Sequence, residues 1–173
     1  MIKELKLFTM DTASQERLIF QSPTSGTLTF NEVFAKLIEF IKQAPEKRYR
    51  LIIGSDSLLG DETTFVVAIV IHRKGAGGRY FYRKFRHRKI KNLRQRIMLE
   101  TTLSLEVAEM LRQRLSENGY SRLPVEIHID VGENGETREI IKEVVGMVAG
   151  SGYLAVTKPD SFGASKVADR HSG

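Results

Sequence analysis

Four acidic residues stand where a folded chain could turn them toward one cation: Asp56, Glu100, Asp130 and Asp169. Asp56 follows Tyr49-Arg-Leu-Ile-Ile-Gly-Ser, an apolar run of strand length, with small Gly54, Ser55 and Ser57 around the carboxylate. Asp130 closes a second such run, Ile127-His-Ile-Asp, before Val131-Gly132. Glu100 lies three residues after Ile97 and seven before Val107 in a helical pattern, on or beside the apolar stripe. A carboxylate in that position must be paired, hydrogen-bonded or bound to a cation. Asp169 ends Ala164-Ser-Lys-Val-Ala-Asp, where Gly163, Ala164 and Ala168 would let a helix approach a sheet closely. Oxygen-only clusters of this kind suit Mg²⁺ or Mn²⁺. Each acid also has an ordinary reading: turn or cap residues for the two strand aspartates, pairing with Arg94 or Arg96 for Glu100, a terminal charge for Asp169. What joins them is the order in which they occur.

The second chemical feature is a dense basic run. Arg83, Lys84, Arg86, Arg88, Lys89, Lys91, Arg94 and Arg96 fall within one short segment that also holds His87 and no acid. The net charge is +6, so without these eight residues the chain is slightly acidic. The basicity is one local patch. Such a patch attracts and holds polyanions, with a solvated strand-to-helix connection as the plainer alternative.

The elements that would position these groups follow from periodicity. A helix is expected from Thr29 or Asn31, with Val33, Phe34, Leu37, Ile38, Phe40 and Ile41 at helical spacing and Pro45 ending it. The strand at Tyr49 delivers Asp56 at its end, and 58–62 reads as a connection. Residues 63–72 and 80–85 form two further strands around a Gly-rich hairpin loop at 74–79. A long helix runs from Asn92 to about Glu117, stopped by Asn118-Gly119. A strand at 125–131, a helix at 137–149, a short strand at 153–157 and a last helix capped by Ser161 and reaching Asp169 complete the chain. Three hairpin-linked strands followed by α/β crossovers predict an α/β fold: a mixed five-stranded sheet with helices on both faces. Residues 1–26 read as an extension, partly ordered, with short strand candidates at 6–9 and 18–21.

Composition bounds the function further. The 173 residues are 41% hydrophobic and 28% charged, as expected for one globular domain. No apolar run approaches the roughly 20 residues of a membrane span. Without cysteine there are no disulfides and no thiolate metal sites. The simplest expected compartment is the cytoplasm, and the oligomeric state leaves no trace in the sequence.

The order β-β-β-α-β-α-β-α, with acids on the first strand, first crossover helix, fourth strand and last helix, resembles the ribonuclease H-like nucleases. Three stretches are similar to the YkuK-type family of bacterial ribonuclease H-like proteins. They are Tyr49–Ser57, His128–Gly132 leading to Thr137-Arg138-Glu139, and Lys158-Pro-Asp-Ser-Phe-Gly-Ala-Ser-Lys-Val-Ala-Asp169. The resemblance runs from about Thr29 to the C-terminus and implies a single ribonuclease H-like domain over 27–173. It implies two divalent cations, Mg²⁺ or Mn²⁺. Asp56 would bridge both, Glu100 and Asp130 would each help hold one, and Asp169 would complete the second site. Glu106 and Glu109 are rivals of Glu100 on the same helix. The implied activity is metal-assisted hydrolysis of phosphodiester bonds in RNA, DNA or a hybrid, with the Arg83–Arg96 patch on the phosphate backbone.

A different class of function fits the same fold: nucleic-acid binding with little or no catalysis. Ile129-Asp-Val-Gly-Glu-Asn-Gly-Glu-Thr137 is faintly similar to the phosphate loop of actin-like ATPases, but those folds need two domains and more than twice this length. His128 shares a strand face with Asp130 and His171 lies near Asp169, though a hydrogen-bonded strand histidine and a tail histidine are the simpler assignments. Tyr80 and Tyr82 could stack bases; on an alternating strand they are first of all packing residues.

Overall fold

The computed structural model describes residues 12–133 and 135–161. A five-residue helix α1 (Thr12–Glu16) precedes a hairpin, β1 (Ile19–Ser22) and β2 (Gly26–Thr29), and then helix α2 (Phe30–Gln43). Three long strands follow: β3 (Tyr49–Leu59), β4 (Thr63–Arg73) and β5 (Gly78–His87). Helix α3 (Leu93–Glu117), β6 (Val125–His128), a 3₁₀ turn (Gly135–Ile140), α4 (Ile141–Gly150) and β7 (Leu154–Val156) complete the order. No helix among the described residues is long and apolar enough to cross a membrane.

The sheet has seven strands in the order β2-β1-β5-β4-β3-β6-β7. The β3-β4-β5 meander is antiparallel, and β6 and β7 add in parallel beside β3. These five strands match the expected sheet. The expectation of five in total is corrected by the β1–β2 hairpin, which joins the far edge through Gln21 opposite Tyr82. Phe20 is fully buried there, 6.4 Å ring to ring from Phe30 at the start of α2. The strand candidate at 18–21 is therefore real in substance, but its partner is 26–29; the candidate at 6–9 lies outside the described residues.

Local chemistry accounts for the element ends. Thr29 caps α2 in a reciprocal arrangement with Glu32, each side chain taking the other's backbone N–H. Asn92 caps α3 through the Gln95 N–H. Gly119, at φ +82°, supplies the left-handed turn after α3 that a side chain would resist.

Residues of α2, α3 and α4 share one large apolar cluster with Leu51, Ile53, Phe65, Val67, Ile69 and Ile71 of the meander. Among the described residues these three helices thus lie on one face of the sheet, not both. The other face carries a small cluster of Ile52, Val66 and Ala68, flanked by Val70 and Tyr82. The last helix expected from Ser161 to Asp169 falls outside the described residues.

One boundary matters for the site. Asp56 does not end its strand: β3 continues to Leu59, paired residue for residue with β4 as far as Leu59 opposite Thr63. The ladder outlasts the apolar run because its hydrogen bonds come from the backbone, whatever the side chains. Conversely β6 stops at His128, short of the expected 131.

Candidate metal centre and nucleic-acid interface

The early end of β6 opens the site. Its parallel pairing with β3 runs from Leu51–Val125 to Gly54–His128 and goes no further. Among the described residues, no strand therefore pairs with the second half of β3, including Asp56, on that flank. Carried two residues onward, the register sets Asp130 level with Asp56 across the gap. Helix α3 crosses the same seam and brings Glu100 to it. Ser55 and Ser104 share a buried hydrogen bond of 2.7 Å that fixes the helix on the strand just beside the acids. A cavity of about 10 Å³, lined by Ser55, Glu100, Thr101, Ser104, His128 and Asp130 among others, lies at the junction. That is the size of a single water site.

Electrostatics tie the three acids together. The Glu100 carboxyl is pushed up from 4.5 to about 8, first by burial, then by the negative charge of Asp56, with Asp130 adding to it. A hydrogen bond from Ser57 and the charge of Arg96 pull the other way without prevailing. Asp56 and Asp130 are thus both within electrostatic reach of Glu100. Asp169 lies outside the described residues. Among the described residues, no three His, Cys, Asp or Glu side chains are gathered closely enough to hold a metal ion unaided.

The rivals of Glu100 point elsewhere. Glu109, about 13 Å further along the helix, binds Arg112 at 2.5 Å and the Tyr153 hydroxyl at 2.8 Å. Burial and that carboxylate push the Tyr153 phenol up. Glu106 is buried on a neighbouring turn. His128 is buried, with Nε2 3.6 Å from a Glu126 oxygen, in the manner of a structural strand histidine. His171 lies outside the described residues.

Sequence reasoning gave no role to Lys158, whose Nζ stands 2.9 Å from Asp130 Oδ1. A lysine two residues past a short strand carries no local signal. Its position comes from the tertiary pairing of its N–H with the Val131 carbonyl at 2.9 Å.

The basic run reaches the same end of the sheet. Asp56 is opposite Val66, and Val66 is opposite Lys84, so Lys84 lies two strands, roughly 10 Å, from Asp56 on the same face. Lys84, Arg86, Arg88, Lys89, Lys91 and Arg94 are exposed along the end of β5, the connection and the start of α3. The connection is anchored by the Ile90 N–H bonding Thr63 Oγ1 at 2.8 Å. Several of these cations also have partners within the fold: Arg94 pairs with Glu143 at 2.5 Å, Arg96 bonds the carbonyls of Ile90 and Lys91, and the Arg83 guanidinium lies 5.8 Å from the centre of the Phe85 ring. Tyr80 and Tyr82 are partly exposed, 6.4 Å apart, on the face away from the three helices. A cleft of about 740 Å³ between the end of α3 and the start of β6 lies at the opposite end of the sheet.

The mixed sheet with its antiparallel meander and α/β crossovers is an α/β fold, and comparison with known proteins gives its family. The chain matches the ribonuclease H-like family over residues 32–173 and belongs to it. It is 32% identical over 167 residues, 90% of this chain and 97% of its counterpart, to the uncharacterised protein YkuK of Bacillus subtilis (strain 168). No solved structure matches it.

Proposed function

We propose that this protein is a divalent-metal-dependent nuclease hydrolysing phosphodiester bonds in RNA or DNA. The observation that carries the reading is electrostatic. Three carboxylates from β3, α3 and the end of β6 share one seam, where burial first, and then the negative charges of Asp56 and Asp130, push the Glu100 carboxyl up to about 8. A lysine ammonium already sits on Asp130. Both facts describe a surplus of negative charge that a cation relieves, and the all-oxygen donor set fits a hard ion, Mg²⁺ or Mn²⁺.

Asp56, Glu100 and Asp130, with Asp169 as the fourth acid, would hold two such ions. When bound, they supply an activated water and neutralise charge at the leaving oxygen. The chain's own contribution is placement. Asp56 and Asp130 stand level across the flank of β3 that no strand among the described residues pairs with, and Ser57 and Ser55–Ser104 orient Glu100 and its helix. Exposed Lys84, Arg86, Arg88, Lys89 and Lys91 would hold the phosphate backbone, with Lys84 roughly 10 Å from Asp56. An open edge suits a polymer better than an enclosed pocket would.

The test is cleavage of RNA–DNA hybrid, single-stranded and branched substrates with Mg²⁺ or Mn²⁺. Asp56→Asn and Asp130→Asn should each abolish product formation while leaving the fold intact. Cleavage that survives both substitutions would rule the proposal out.

A second reading, nucleic-acid binding without catalysis, is favoured by one observation: the described acids do not close a metal site unaided, and Lys158 is on Asp130. Salt-sensitive binding with no cleavage and no thermal stabilisation by divalent ions would select it.

A further inference from the structure

We infer that Lys158 is a resident counter-ion of Asp130 that yields to a divalent cation and then takes a backbone phosphate of the bound nucleic acid. The inference rests on the metal-centre reading above and assigns that site an additional, positioning residue.

The placement of Lys158 is built from the backbone outward. Its N–H donates to the Val131 carbonyl at 2.9 Å, continuing the parallel alignment of β7 with β6. Its stem lies over Gly132, where a Cβ would already touch Lys158 Cβ at 3.4 Å and Cδ at 3.7 Å. Even a Cβ at 132 would meet the stem only in ordinary van der Waals contact, so the stem packs directly over the Gly132 backbone. The ammonium then reaches Asp130 Oδ1 at 2.9 Å. Backbone, stem and head are each accounted for, so the contact is a property of the fold.

Its strength suits a displaceable ion. The side chains of Lys158 and Asp130 are 56% and 43% exposed. An ion pair so open to solvent contributes about 0–1 kcal/mol. A divalent ion shared with Asp56 and Glu100 brings twice the charge and more ligands, and it wins the carboxylate. The freed ammonium remains on its four-carbon stem beside Asp130, where a phosphate drawn to the bound cation would arrive. Lysine binds phosphate as a mobile point charge, with no fixed fork geometry to satisfy.

Two affinities of the full chain test this, since the two roles move them in opposite directions. Mn²⁺ binding is measured by the electron paramagnetic resonance signal of the free ion. Binding of a fluorescent RNA–DNA hybrid is measured by anisotropy in Ca²⁺. Lys158→Gln should tighten Mn²⁺ binding by about 2- to 5-fold, the equivalent of losing a solvent-exposed ion pair. It should also weaken hybrid binding and lower its salt slope by about 0.7–0.9, one phosphate contact. Lys158→Arg should restore the hybrid affinity. A lysine that merely supports the loop predicts that both affinities fall together, and that result overturns the inference. If the wild type binds Mn²⁺ and Lys158→Gln binds it equally, the inference alone fails. If neither protein binds Mn²⁺, the metal-centre reading fails with it.

Discussion

Glu100 is the residue whose physical state says most about the site. Folded, it keeps its proton to about pH 8, whereas an ordinary glutamate loses it near 4.5. Between those values the folded chain binds more protons than the unfolded one, so this group makes stability fall as pH rises. Glu100→Gln removes that term. In the presence of a chelator, the variant should melt higher than wild type at pH 8, on the order of 5 °C, with the gap closing toward pH 5. Parallel melting curves across that range would show that Glu100 ionises freely. At this scale the sequence was informative about the acids themselves, since a carboxylate on a helix stripe or after an apolar run is conspicuous. It was silent on Lys158, whose role depends on a backbone bond to Val131 across the sheet.

At the scale of elements, the decisive detail is the difference in length between β3 and β6. Hydrophobic patterning located both strands but ended β3 at Asp56 and ran β6 on to Val131. The structure reverses this: β3 passes Asp56 by three residues, and β6 stops two residues before Asp130. Side-chain pattern reports burial, while strand length follows backbone pairing, and here the two part company. The β1–β2 hairpin was hard to read for a related reason. Its strands have four residues each, and the Ser22-Pro-Thr-Ser-Gly26 turn between them reads as loop. Its attachment is nonetheless apolar, through Phe20 and Phe30. Phe20→Ala should destabilise the protein by about 3–5 kcal/mol, lowering the melting temperature by on the order of 10 °C. A change within a degree or two would mean the hairpin adds little to the core.

Across the whole molecule, charge is sorted by place. A chain that is slightly acidic elsewhere carries its excess of cations along one edge, at the sheet end that also holds the three acids. Local density made this legible from the sequence; the register of β3, β4 and β5 sets the distance. Replacing Arg86, Arg88, Lys89 and Lys91 by glutamine should weaken nucleic-acid binding at low salt. It should also reduce the slope of log Kobs against log salt by about 3, as expected for up to four lost phosphate contacts. An unchanged slope would place the nucleic acid elsewhere. In the proposed function the acids and the patch are two parts of one surface, the first for a cation and the second for a polyanion, and the proposal stands or falls on the first. The most direct measurement is anomalous diffraction at the manganese edge from crystals soaked in Mn²⁺. The account predicts density bounded by the carboxylates of Asp56, Glu100 and Asp130, with the Lys158 ammonium moved off Asp130. No density there, with Lys158 still on Asp130, would contradict it.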